Sequence, residues 1–117
     1  MYTLEKNLKF AAAHKLNDSN SLTTKRCLNL HGHEWNVKVK IQSYRLVDDM
    51  IIDFGKLAEI IEGLDHQYLN DILWFNPTAE NLSKFIHDRI QSELKDRLVN
   101  IDVTIEESPG AKITYSM

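Results

Sequence analysis

An internal disulfide is out of reach of this chain, because its 117 residues hold a single cysteine, Cys27. Small secreted domains lean on cross-links, so a reducing, cytoplasmic setting is the expectation. Two prolines and four glycines are too few for a collagenous or low-complexity chain, and the 43% hydrophobic fraction argues against disorder. No apolar run approaches the ~20 residues of a membrane helix. The opening residues MYTLEKNLKF do not have the charged-then-apolar layout of a secretory leader. Positive charge is not in excess either. Fourteen Lys and Arg against seventeen Asp and Glu leave a formal −3, which argues against bulk binding to nucleic acid or an anionic membrane. Neither a repeat nor a linker divides the chain, so one domain over residues 1–117 is expected. Its core would be modest, which makes oligomerisation an early expectation.

What is present is alternation. Tyr2, Leu4, Leu8, Phe10 and Ala12 share one parity, predicting a first strand with a bulge near Glu5 to Asn7. A turn-rich stretch, NDSNSLTTKR, follows. Trp35, Val37, Val39 and Ile41 then alternate with Asn36, Lys38, Lys40 and Gln42, the clearest strand in the chain. Asp53 stands where a helix N-cap belongs, ahead of Phe54, Leu57, Ile60, Ile61 and Leu64 at helical spacing, with Gly63 as a stop. Asn76-Pro77 predicts the N-cap and first turn of a longer helix. Its apolar stripe is Leu82, Phe85, Ile86, Ile90 and Leu94, and its end lies near Arg97. Ile101, Val103 and Ile105, a turn at Ser108-Pro109-Gly110, then Ile113 and Tyr115 predict two closing strands. The expected class is α+β: a four-stranded antiparallel sheet with two helices packed on one face.

His31 and His33 head the second strand on the parity of its apolar residues, and His14 continues the inward parity of the first. If the two strands are neighbours, three imidazoles converge, the donor set of a zinc site with an open fourth position. A lone histidine of this kind is most often bonded to backbone. Three on consistent parity need a shared partner. Cys27 leaves three readings open: a fourth ligand, a free thiol acting as base or nucleophile beside the metal, or an inert buried thiol. Asp65-His66 can form a proton relay if it lies in a turn; otherwise it is a helix-end cap with a solvated ring. Glu107 continues the inward parity of Ile101, Val103 and Ile105, whereas Glu106 lies on the other face. An inward carboxylate needs a partner, and an amino-pyrimidinone ring offers two N–H donors; if the strand ends earlier, Glu107 simply faces water. Glu80 falls in the first turn of the second helix, where the dipole alone accounts for it. His87 reads as an ordinary surface or boundary residue. Lys15, Lys25 and Arg26 could hold phosphates, although scattered surface charge is the plainer account.

Taken in order, FAAAH ending at His14, CLNLHGH from Cys27 to His33, MIIDF, LDHQYLND, NPTAEN and EESPGAKITY resemble the 6-pyruvoyl-tetrahydropterin synthase family. The match is to its 6-carboxy-tetrahydropterin synthase branch of queuosine biosynthesis, in which the cysteine stands three residues short of the His-Gly-His triplet. The resemblance implies a T-fold assembled as a homo-hexamer, a dimer of trimers, with zinc on His14, His31 and His33. It also implies Cys27 as catalytic base, Asp65 and His66 as the relay, and Glu107 as the pterin anchor, assisted by Thr78 and Glu80. The implied reaction takes a pterin triphosphate, 7,8-dihydroneopterin triphosphate, to 6-carboxy-5,6,7,8-tetrahydropterin, acetaldehyde and triphosphate. Rival readings are the pyruvoyl synthase, a folate-precursor side-chain lyase, and a non-catalytic zinc-stabilised pterin-binding module. Glu34-Trp35 departs from the family pattern, and so does the loop from Lys15 to Arg26.

Overall fold

The computed structural model describes residues 1–17, 25–95 and 97–117; the side chains of Lys25 and Arg26 lie outside the described residues. Any phosphate contact from these two basic side chains, or from residues 18–24, therefore lies outside the description.

Period-two patterning produces two long partners, β1 (Tyr2–His14) and β2 (His31–Ser43). They pair antiparallel without interruption from Tyr2 opposite Ser43 to His14 opposite His31. The expected bulge near Glu5 to Asn7 is absent. Lys6 simply takes an inward-parity position at half burial, with its ammonium 5.6 Å from the centre of the Phe54 ring. A lysine can do this because its stem is apolar and its head reaches an aromatic face or water. β2 pairs on its other side with β4 (Asn100–Ser108), which pairs with β5 (Ala111–Ser116) through a turn where Gly110 adopts φ 84°. A left-handed φ of that kind is the conformation glycine takes without strain.

Among the described residues the sheet has five strands rather than four, in the order β3-β1-β2-β4-β5. The addition is β3, the two residues Gln67–Tyr68, which run parallel to β1 opposite Ala12 and Ala13. Two residues are too short to show a period, so the pattern could not announce them.

The helices are α1 (Lys25–Leu28), α2 (Phe54–Glu62), α3 (Leu69–Ile72) and α4 (Ala79–Leu94). Asp53 caps α2 as expected, its carboxylate accepting from the Gly55 amide at 2.8 Å. In α4 the cap is Thr78, not Asn76: the Thr78 hydroxyl accepts from the Asn81 amide at 3.1 Å. Pro77 therefore precedes the cap, and the helix ends at Leu94, short of Arg97. Asn76 instead ties loops together, accepting from the Asn17 amide through Oδ1 and from Asn81 Nδ2 through its carbonyl. Leu57 and Ile61 of α2, and Leu82, Ile86, Ile90 and Leu94 of α4, join the inward faces of β1, β2 and β4 in one core. The helices thus cover one face of the sheet, which is the α+β arrangement expected from the sequence. Among the described residues, no helix is long and apolar enough to cross a membrane.

Candidate metal centre

Pairing β1 with β2 sets His14 directly opposite His31, and Ala12 opposite His33. Because alternate residues share a face, all three imidazoles emerge on the helix-covered side at one end of the sheet. Their ring centres lie 4.5, 4.8 and 5.2 Å apart. Glu107 reaches the same point from β4, at a break in register between Glu106 and Ser108. One donor atom from each of His14, His31, His33 and Glu107 lies within 4.8 Å of the others. The parity of β4 thus delivers Glu107, and not Glu106, to the histidines.

Tautomers follow from the backbone. His14 Nδ1 donates to the Pro77 carbonyl at 2.8 Å, and His31 Nδ1 donates to the Asn29 carbonyl at 2.7 Å. A carbonyl can only accept, so each Nδ1 carries the hydrogen and each Nε2 presents a lone pair. This is the outer-sphere bonding by which metal-bound histidines are oriented. His14 is fully buried. His14 Nε2 is buried without a hydrogen-bond partner, and the buried His33 Nε2 has the Glu107 carboxylate 2.9 Å away. An unpartnered nitrogen in a dry site is costly, and a shared cation would satisfy both rings together. Burial itself, the largest influence, holds both rings below the ordinary imidazole pKa, which keeps them neutral and able to ligate. Three imidazoles and a carboxylate therefore fit a divalent metal by geometry and by chemistry.

The floor beneath them is Trp35. Its ring is fully buried, stacks on Phe10 at 5.8 Å, and meets His14 and His33 edge-on at 4.9 and 5.3 Å. Its indole N–H donates to the Ala12 carbonyl at 3.3 Å. Sequence reasoning noted Trp35 as unusual but missed its place, along with the Pro77 and Asn29 carbonyls. Carbonyls carry no residue-type signal, and an apolar parity does not say which polar group an aromatic ring abuts.

Asp65 and His66 occupy the turn after α2, the setting their pairing requires. His66 sits at φ 58°, a left-handed conformation that costs a non-glycine residue strain. Two bonds hold it there: the Ala11 amide donates to Asp65 Oδ1 at 2.9 Å, and the His66 amide donates to the Ala11 carbonyl at 2.7 Å. The other carboxylate oxygen lies 3.5 Å from His66 Nε2. The His66 ring is 83% exposed and lines a shallow groove with His33, Glu34 and Tyr68.

A family model for 6-pyruvoyl tetrahydropterin synthase matches residues 3–117. The chain belongs to the 6-pyruvoyl tetrahydropterin synthase family. A putative 6-pyruvoyl tetrahydrobiopterin synthase of Caenorhabditis elegans is 30% identical over 97% of this chain and 93% of its own length. A 6-carboxy-5,6,7,8-tetrahydropterin synthase of Synechocystis is also 30% identical, over 88% of this chain and 85% of its own. Among solved structures, the 6-pyruvoyl tetrahydropterin synthase of C. elegans superposes with a TM-score of 0.74 at 27% identity, covering 99% of this chain and 95% of that one. The fold expected of this synthase family, an α+β T-fold, is therefore the fold observed.

The remaining residues singled out in the sequence are placed as follows. Cys27 is half-buried in α1, its carbonyl accepting from the Leu16 amide at 2.7 Å, and it is not in the four-residue donor group. Thr78 spends its hydroxyl on the α4 cap, and Glu80 lies exposed in the first turn of that helix. The Lys15 backbone is clamped by Asn70 on both its N–H and its carbonyl, and its side chain is exposed. His87 corrects its expectation: it is buried rather than at the surface. Its ring stands edge-on to Tyr115 at 4.8 Å, with Nδ1 3.1 Å from Asp88 Oδ1. The short strand β5 brings Tyr115 over a flank of α4 that the apolar stripe left out.

Proposed function

We propose that the chain, as a single domain over residues 1–117, is a zinc-dependent carbon–carbon lyase of the 6-carboxy-tetrahydropterin synthase type. It would convert 7,8-dihydroneopterin triphosphate to 6-carboxy-5,6,7,8-tetrahydropterin, acetaldehyde and triphosphate in the cytoplasmic synthesis of queuosine. The observation that carries the reading is the imidazole trio itself, two of whose members have Nδ1 bound to backbone and Nε2 free. Cys27, with three residues between it and His-Gly-His as in the carboxy branch that the chain resembles, favours the carboxy product. The relatives carry both names, so the pyruvoyl product is the nearest rival.

In this reading His14, His31 and His33 hold the zinc. When bound, zinc supplies a Lewis acid that stabilises negative charge developing on substrate oxygen. Glu107 accepts from the two N–H donors of the pterin ring and fixes the reacting carbon in position, with Thr78 and Glu80 flanking. Cys27 as thiolate removes the proton from the carbon bearing a hydroxyl. His66 returns a proton, its ring turned by Asp65. Triphosphate then leaves by elimination, and one water adds to the side-chain carbon attached to the ring; breaking the bond from that carbon to the next leaves the carboxylate on the pterin and releases the other two carbons as acetaldehyde. The exposure of His66 suits a ring that works on a neighbouring copy, and the homo-hexamer is proposed on the family resemblance.

Product analysis tests this. Purified protein with zinc and 7,8-dihydroneopterin triphosphate should yield acetaldehyde and a carboxylated pterin in equal amounts. A diketo pterin without acetaldehyde would favour the rival instead.

A further inference from the structure

Two acceptors face one another in the centre. His14 Nδ1 is committed to the Pro77 carbonyl, so the lone pair of its Nε2 lies toward Glu107 Oε1 at 3.5 Å. The same oxygen is 2.9 Å from His33 Nε2, so one carboxylate oxygen already serves two of the three rings. Lone pair against lone pair is repulsive in a site shielded from water, and a cation between them reverses the sign. In a tetrahedral site with bonds of about 2.0–2.1 Å, ligand atoms stand roughly 3.3–3.4 Å apart. The two observed separations, 3.5 and 2.9 Å, straddle that value. Glu107 is also placed to move. It sits where the β4–β5 register breaks, and its side chain is 27% exposed.

We propose that Glu107 alternates between two partners: its carboxylate closes the fourth position of the metal while the pocket holds no pterin, and transfers to the ring N–H donors when a pterin enters. The pterin half rests on the function proposed above; the metal half does not. Three neutral imidazoles leave a divalent ion at +2, and a fourth, anionic ligand lowers the local charge to +1. Departure of that carboxylate both anchors the ring and opens the metal at the moment substrate arrives. A single residue thereby couples ring recognition to the appearance of an open coordination site.

The test uses the zinc-loaded protein without turnover. A crystal structure at the zinc edge should place a Glu107 oxygen about 2.0–2.2 Å from the metal, and a crystal soaked in neopterin should show it beyond ~3 Å and on the ring. By chelator competition, Glu107→Gln should bind zinc about 10- to 100-fold more weakly than the parent. Glu106→Gln, one residue away on the opposite face, should bind as the parent does. A carboxylate beyond ~3 Å from zinc in the pterin-free crystal, or a Glu107→Gln affinity equal to the parent, overturns the proposal. So does a zinc–carboxylate bond that persists with neopterin on the ring site. Failure to form the carboxylated product, with these exchanges intact, counts against the proposed reaction alone.

Discussion

Asp65 carries two burdens that one substitution separates. Its Oδ1 accepts from the Ala11 amide at 2.9 Å, pinning the turn after α2 to β1, while Oδ2 faces His66. Removing the carboxylate in Asp65→Ala leaves the Ala11 amide without its acceptor and His66 unsupported at φ 58°. Hydrogen bonds to charged groups contribute about 1.5–3 kcal/mol. The Asp65 side chain is 38% exposed, so water replaces part of the loss, and about 1–2 kcal/mol is expected. With an unfolding entropy of roughly 2.1 cal/mol/K per residue, 117 residues give about 0.25 kcal/mol/K, so Tm should fall by about 4–8 °C. Thermal denaturation of the metal-free protein checks this without reference to catalysis. Asp65→Asn keeps an acceptor for the Ala11 amide and should recover at least half the loss in Tm, while still lowering turnover because the charge facing His66 is gone. If Asp65→Ala melts with the parent, the clamp on Ala11 contributes nothing and the argument for a pre-set turn fails.

Other outcomes follow from the same geometry. Cys27→Ala should retain zinc and Tm within about 2 °C while abolishing turnover; loss of zinc in parallel would make the sulfur a ligand and sink its role as base. His66→Gly should relieve the left-handed strain, raising Tm by about 2–4 °C for about 0.5–1 kcal/mol while removing activity, and a fall in Tm would contradict it. Burial holds His14 and His33 below the ordinary imidazole value, so the folded state resists their protonation. Metal-free protein should therefore keep full stability above pH ~6.5 and lose it as pH falls below that point; a Tm that climbs on acidification would reverse the sign. In Trp74→Phe, which removes an indole that is 94% exposed, cobalt should quench the emission of buried Trp35, 4.9 and 5.3 Å from two of the ligand rings.

Parity was the strongest guide to this molecule. It turned His14, His31 and His33 to the inward side of their strands and separated Glu107 from Glu106, because a pleated strand leaves each residue one of two sides; that β1 and β2 are neighbours came from the folded chain. It failed where sides are not the issue. Lys6 on an inward position suggested a bulge, yet the stem of a lysine beside Phe54 needs none. Asn76-Pro77 imitates a helix start, but the hydroxyl of Thr78 reaches Asn81 and shifts the start by two residues. His87 looked marginal on its helix because the pattern that predicts the last strand does not say that its Tyr115 packs against this flank of α4. The carbonyls of Pro77 and Asn29 were invisible for a different reason: every residue has one, and only the folded chain says which of them meets a ring nitrogen.

The metal content of the chain tests the account most directly. After equilibrium dialysis against zinc, the parent should hold one ion per chain, and His14→Ala, His31→Ala and His33→Ala should each lose it while remaining folded by circular dichroism. A parent that stays zinc-free, or any of the three variants that keeps a full equivalent at parental affinity, would contradict the claim that these imidazoles share one ion.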